Sequence, residues 1–323
     1  MIANSGEYRK KNGQRGYVMM NNFIFENKTK VYFGKGGVKE YLGGLLANFG
    51  ETVMLAYGGG SIKCNGVYDE IMGILNAQGK CVVEFSGIMS NPTYATVQEG
   101  AKLARENHVD LILAVGGGSV SDCCKVISGA FDTLSHAMET YFGKPDENNL
   151  SDDINEAVMR SVIRNIRILL TDPENYDARS ELARASAMAE NGVLKIGKVT
   201  DFQAHQIEHQ LGAYTNCNHG AGLAVIHPVL YRHIYKSGTA RFTRWAQNVW
   251  GIAPKGSDEE TAAAGIDALA AFIKEIGLPT SFAELGIPAD TDFRAVADST
   301  NITAGCCKKL MHDEIYEILQ ECL

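Results

Sequence analysis

The sequence predicts two unlike halves: an α/β half built on a parallel sheet, then an all-α half. Three observations carry this. Short apolar runs at residues 53–57, 81–85 and 111–115 read as buried strands. Helical stretches separate them, giving a βαβαβ order with right-handed crossovers. From Gly129 onward the chain offers helical patterns and few strand candidates, so the boundary falls near residues 126–129.

Residues 1–18 are polar and basic (Arg9, Lys10, Lys11, Arg15) and lack the apolar stretch of a secretory signal, so a disordered extension is expected there. A folded pattern begins at residues 19–25, and the α/β half is expected to span 19–128. Between the second and third strands a helix is predicted over 92–107, with Asn91 as N-cap and Pro92 at the first helical position. Tyr94, Val97, Ala101 and Ala104 recur at helical steps and define its expected apolar face. In the second half, 129–323, helices are predicted over 152–170, 178–190, 220–235, 259–276 and 312–323.

A length of 323 residues suits two domains, because single cores stop growing at about 250–300 residues. The net charge of −8 argues against a nucleic-acid surface, which needs clustered cations. No apolar run approaches the roughly 20 residues that span a bilayer, so a soluble protein is expected. The eight cysteines form no C-x-x-C pair and include two sets of adjacent neighbours, a poor disulfide framework. Reduced thiols in a cytoplasm are the expectation.

Gly58, Gly59, Gly60 and Ser61 follow the first strand; Gly116, Gly117, Gly118 and Ser119 follow the third. Such strand–turn–helix junctions point backbone N–H groups at an anion, and a dinucleotide pyrophosphate fits. Two ligand-free tight turns are the plainer alternative. Neither copy is a G-x-G-x-x-G fingerprint or a P-loop. Residues 57–63 hold no acid for a ribose 2′-OH, whereas Ser61 and Lys63 could meet a 2′-phosphate, which favours NADP(H) over NAD(H).

Asp132 and His136 lie four apart, as do His205 and His209, so each pair shares a helix face and can grip one metal ion. His219 follows after a turn-like stretch, with Gly220 next. Imidazole and carboxylate donors suit Fe(II), Zn(II), Mn(II) or Ni(II) rather than calcium. His108, His227, His233 and His312 are left as surface or core residues, and Cys217 as an inert thiol.

These motifs together resemble the iron-containing (group III) alcohol dehydrogenases, in particular the butanol dehydrogenase-like branch. The carrying words are Tyr57-Gly-Gly-Gly-Ser61-Ile-Lys63, Gly116-Gly-Gly-Ser119-Val-Ser-Asp122, Gly129-Ala-Phe-Asp132-Thr-Leu-Ser-His136-Ala-Met-Glu139, and His205-Gln-Ile-Glu-His209-Gln-Leu-Gly212 leading to His219-Gly220. The likeness covers about residues 21–323. It implies a dinucleotide-binding domain, a helical domain and a catalytic metal between them, Fe2+ ahead of Zn2+. By the resemblance Asp132, His136, His205 and His219 are the metal ligands, and His209 lies beside nicotinamide and substrate as a proton relay. Both glycine turns become cofactor contacts, and Asp122 a cofactor-side residue. The implied substrates are small alcohols and aldehydes such as butanol and butanal, and a homodimer is implied.

The pattern breaks at one place. In the family, the helix after the second glycine turn precedes several dozen residues with extra strands and a Thr/Gly/Ser-rich loop over the cofactor. Here residues 122–125 run through 126–128 straight into Gly129-Ala-Phe-Asp132. A parallel crossover needs a dozen or more residues, so the dinucleotide domain is expected to be truncated. Strands, cover near the third strand and one wall of the nicotinamide pocket should be missing. Reduced stability and activity are expected, with a remnant that only binds metal or nucleotide as the alternative. A glycerol dehydrogenase-like zinc enzyme is a third reading, which the H-Q-I-E-H-Q-L-G word disfavours.

Overall fold

The computed structural model describes residues 24–27, 29–88, 94–116, 123–144, 148–305 and 307–323. The expected extension at 1–18, Asn91 and Pro92, and Gly117, Gly118, Ser119 and Asp122 lie outside the described residues.

Strands β1 (Thr52–Tyr57), β2 (Cys81–Phe85) and β3 (Leu111–Val115) form one parallel sheet in the order β2-β1-β3. Val53 pairs with both Val82 and Leu111, so the three apolar runs are in register. Helices α1 (Gly37–Leu46), α2 (Ser61–Cys64), α3 (Val67–Ala77) and α4 (Tyr94–Glu106) accompany them. Leu46, Val53, Leu55, Tyr57, Ile62, Ile71 and Leu75 make a small core.

Two expectations need correction here. Only β1 is a buried strand; β2 and β3 alternate between half-buried and exposed, and Ile112 of β3 is 60% exposed. Among the described residues the sheet has three strands with β2 and β3 at its edges, and apolar composition alone does not distinguish an edge strand from a central one. On the predicted apolar face of α4, Ala101 and Ala104 are half-buried but Val97 is 54% exposed. The buried residue of α4 is Gly100, where an added Cβ would stand 2.8 Å from the Phe85 ring.

The second half is helical: α5 (Cys123–Tyr141), α6 (Leu150–Thr171), α7 (Tyr176–Glu190), α8 (Gln203–Thr215), α9 (His219–Ile234), α10 (Thr239–Asn248), α11 (Asp258–Glu275), α12 (Phe293–Ser299) and α13 (His312–Glu321). Its extended pairing among the described residues is a single antiparallel bridge, Lys144 to Val199. The five predicted helices are present, each within a few residues of its expected ends. Local chemistry sets several starts. Asn149 and Asn175 accept from the N–H groups of Asp152 and Ala178, and Ser257 with Glu260 forms a capping box. α5 runs unbroken through residues 126–128, so the short join is itself helical.

A continuous core runs through this half, including Phe131, Tyr141, Ile166, Ile207, Trp245 and Phe272. One buried polar knot ties it together. The fully buried Asp152 carboxylate receives both Lys198 and Arg241, whose guanidinium lies 4.8 Å over the Tyr141 ring. Tyr141 and Arg244 both reach Glu156, at 3.0 and 2.6 Å. No helix among the described residues is long and apolar enough to cross a membrane.

Breaking a buried pair by removing one partner costs about 3–5 kcal/mol, because a charge stays behind uncompensated. Asp152→Ala is therefore expected to lower stability by about that amount. Urea unfolding checks it; an unchanged midpoint would show that the knot contributes nothing net.

Candidate metal centre

α5 presents Asp132, His136 and Glu139 at positions i, i+4 and i+7, and α8 presents His205, Glu208 and His209 at i, i+3 and i+4. Each set therefore shares one helix face. Between α8 and α9 the chain doubles back. Asn216 adopts a left-handed conformation (φ 54°) that ends α8, and Asn218 accepts from Ala221 N at 3.0 Å to start α9. The reversal brings His219 beside His205, ring centroids 5.3 Å apart.

Gly220 explains how α9 can come so close to α5. A Cβ there would lie 2.1 Å from the Ser128 carbonyl oxygen, a separation no side chain could occupy. The His219-Gly220 word thus encodes a close helix approach as well as a donor.

The donor atoms converge. Asp132 Oδ1 is 3.4 Å from His205 Nε2, 3.4 Å from His219 Nε2 and 3.6 Å from His136 Nε2. His136 Nε2 is 3.1 Å from His205 Nε2. With metal–ligand bonds of about 2.0–2.1 Å, ligands of a tetrahedral centre stand about 3.3–3.4 Å apart. Buried Asp132 Oδ1 nevertheless has no well-directed hydrogen bond among the described residues. An oxygen ringed by imidazole nitrogens at ligand spacing, yet bonded to none, fits donors arranged around a shared cation. A second grouping, Glu208, His209 and His219, is also compact. There, however, Glu208 is committed to the rear nitrogen of His219, so the first grouping is the better cage.

Behind the donors stand two buried carboxylates that the residue spacing did not single out. Glu139 meets His205 Nδ1 and Glu208 meets His219 Nδ1. A carboxylate on Nδ1 fixes the proton there and turns the Nε2 lone pair toward the centre. Glu139 also accepts from Ala204 N at 2.7 Å, capping α8, whose own N-cap residue Phe202 makes no side-chain bond. The signal in the sequence was an acid three residues beyond two of the three histidines, in His136-Ala-Met-Glu139 and His205-Gln-Ile-Glu208.

The electrostatics follow from this packing. Burial opposes charging His205 and His219, but the facing Asp132 carboxylate, together with Glu139 at His205 and Glu208 at His219, outweighs it and raises them to about 9 and about 10. Burial likewise opposes ionising Asp132, and the facing His205 and His219 overcome it, holding its carboxyl well below the usual range. His136 moves the other way, down to about 4, through burial and then the charge of His205. His209 is exposed, stacks on His219 at 5.3 Å, and is lowered by burial and then by the His219 charge.

At the sheet end, Gly58, Gly59 and Gly60 follow β1, and Ser61 opens α2. Lys63 Nζ lies 4.6 Å over the Tyr68 ring and 3.6 Å from Glu84 Oε2. Glu84 accepts from Tyr57 Oη at 2.5 Å and Tyr68 Oη at 2.6 Å, which hold its carboxyl below the usual range. An acid beside Lys63 thus comes from β2, where Glu84 pairs with Leu55 of β1. Gly116 follows β3, and the rest of the second turn lies outside the described residues.

A parallel sheet ending in a glycine turn, followed along the chain by helices that gather three imidazoles and a carboxylate, is the combination found in metal-dependent nicotinamide oxidoreductases. Residues 126–323 match the Fe-containing alcohol dehydrogenase family, C-terminal, and residues 28–157 match iron-containing alcohol dehydrogenase. The chain belongs to the iron-containing alcohol dehydrogenase family, and with it to the oxidoreductases. It is 31% identical to a probable NADH-dependent butanol dehydrogenase 2 of Bacillus subtilis, covering 94% of this chain and 100% of that protein. It is 27% identical to the NADPH-dependent aldehyde reductase YqhD of Escherichia coli, covering 83% of this chain and 90% of that one. Among solved structures it resembles NADH-dependent butanol dehydrogenase A of Thermotoga maritima, with a TM-score of 0.87, 27% identity, and coverage of 94% and 99%. The Bacillus alignment runs over 392 residues, more than the 323 of this chain, so that relative carries residues without a counterpart here.

Gly220→Ala is expected to cost about 1–3 kcal/mol by forcing α9 off α5, and to weaken metal retention. Gly129→Ala is the control: its Cβ meets nothing within 4 Å, and the change should be neutral or stabilising. Thermal melts with metal analysis would check the pair; equal behaviour of the two variants would overturn the close-approach argument.

Proposed function

We propose that this chain transfers hydride between NADP(H) and a primary alcohol or aldehyde of the butanol/butanal kind, at a divalent metal, Fe2+ ahead of Zn2+. Asp132, His136, His205 and His219 would hold the metal. The observation that carries this is the 3.4 Å spacing of Asp132 Oδ1 from His205 and His219, each backed by a buried carboxylate. When bound, such a metal supplies Lewis acidity toward the substrate oxygen.

In the reducing direction bound NADPH would supply the hydride for the carbonyl carbon, and the oxygen would need a proton to give the alcohol and NADP+. His209 is the residue suited to move that proton. It is exposed, lies against His219, and its lowered pKa keeps the ring neutral at pH 7. It can accept the proton of an alcohol during oxidation and return one during reduction. Gly58, Gly59, Gly60 and Ser61 would take the pyrophosphate and Lys63 a 2′-phosphate. Gly116, Gly117, Gly118, Ser119 and Asp122 would complete the cofactor side. A cytoplasmic homodimer is part of the proposal; the free thiols of Cys64, Cys81, Cys217, Cys307 and Cys322 accord with a reducing compartment.

A second reading, metal binding with impaired turnover, is favoured by the exposed β3 edge and by the residues its longer relatives carry. Metal analysis combined with NADPH-dependent butanal reduction separates the two. Metal with turnover supports the enzyme, metal without turnover the impaired form, and glycerol oxidation with NAD and zinc would replace both. His205→Ala should abolish metal retention; full occupancy in that variant would refute the ligand set.

Cofactor choice has its own test, because Glu84 beside Lys63 is the kind of acid that favours NAD(H). Glu84→Gln, which frees Lys63 from its carboxylate, is expected to raise the NADPH-to-NADH ratio of kcat/KM about tenfold, the equivalent of roughly 1.4 kcal/mol. Lys63→Ala should lower it. No change in either variant would remove this corner from the specificity argument.

A further inference from the structure

We infer that Glu190 is a fifth donor of the metal centre, which makes the site one of two carboxylates and three imidazoles. The inference rests on the metal reading above. Glu190 is the last residue of α7, a helix that packs along α5. Its Oε1 stands 2.9 Å from His136 Nε2, the same nitrogen that lies 3.1 Å from His205 Nε2 and 3.6 Å from Asp132 Oδ1.

The three histidines are not equivalent. His205 and His219 each have a carboxylate behind the ring, on Nδ1. His136 Nδ1 is buried with no hydrogen-bond partner among the described residues. Its carboxylate, Glu190, stands in front, on the nitrogen that turns to the centre. Once Nε2 gives its lone pair to a cation, it has no proton to donate to Glu190. Two lone-pair atoms 2.9 Å apart then repel unless both face the same ion. For bonds of about 2.1 Å, ligands at right angles stand about 3.0 Å apart, which is the separation seen.

Charge points the same way. Asp132 and Glu190 place two carboxylate oxygens within 3.6 Å of the same His136 nitrogen. Two anions held together in a half-buried site are offset by a dication between them. The added oxygen donor also changes which metal the site favours. Oxygen-rich sites of higher coordination number suit Fe(II) and Mn(II), whereas Zn(II) is content with four ligands. Half of the Glu190 side chain is exposed, at 51%, so the position tolerates substitution without a cavity.

The test uses the full-length protein, stripped of metal and reloaded. Cobalt(II) absorption reads coordination number directly. Wild type should give the weak visible bands of a five-coordinate ion, and Glu190→Gln the stronger bands of a four-coordinate one. Manganese(II) affinity, read by competition titration, should fall about tenfold or more in Glu190→Gln, with zinc(II) affinity changed far less. Glu190→Asp keeps the charge and shortens the reach, so it should behave like Gln. Identical cobalt spectra in wild type and Glu190→Gln, or wild-type manganese affinity in Glu190→Asp, would overturn the inference while leaving the four-ligand site intact. Failure of wild type to take up any of these ions would instead overturn the metal reading itself, and this inference with it.

Discussion

The helical half is organised around the contact of α5, α8 and α9 at one carboxylate, Asp132. Three nitrogens crowd its Oδ1, and two further carboxylates are buried behind them. Burying Glu139 and Glu208 is costly unless each has a partner. Here the partner of each is an imidazole whose other nitrogen points at Asp132. Ligand, orienting acid and helix cap are therefore one connected system, and Glu139 alone joins α5, the start of α8 and His205. Without a cation, His205 and His219 hold protons that balance the acids. A metal must expel those protons to bind, so cation and proton compete for the same cage.

The two halves are built to different standards of packing. The helical half has a continuous aromatic and aliphatic core and a buried ionic knot at Asp152. The α/β half has one buried strand, two half-exposed edges and a small core under α1 and α3. In the proposed function metal binding draws on the first and nicotinamide binding on the second. Local stability follows buried apolar contact, so the cofactor side is the softer of the two.

Much of this was legible in the residues, and the exceptions share a cause. Asp132/His136 and His205/His209 were readable because four-residue spacing on a helix is a local property. The five predicted helices were readable from periodicity and caps in the same way. Glu139 and Glu208 were not, since an acid at i+3 of a histidine looks like any solvated helix residue until its burial is known. Glu84 and Glu190 act on partners in other elements, through strand register and helix packing, which no local pattern encodes. The half-exposed state of β2 and β3 was hidden for a related reason: Val and Leu runs look alike whether or not a neighbour covers them. His209 shares its helix face with His205, so spacing alone offered both as donors. Geometry separates them, because His205 points into the cage and His209 lies outside it, stacked on His219.

The unbroken helix α5 determines where a shortened chain of this kind would lose function. Only residues 117–122 separate the described end of the β3 turn from α5, too few for a crossover to another parallel strand. Within α5, Asp132 and His136 keep their mutual spacing because it is set by helical geometry and not by the missing segment. The close approach at Gly220 and Ser128 fixes α9 against the same helix. On the proposed ligand set the metal centre is insulated from the shortening, and the proposed nicotinamide placement is not. Displacement of about 1 Å between hydride donor and acceptor can cost roughly 10²-fold in rate. A chain built this way would keep its metal and pay for the lost segment in the hydride step.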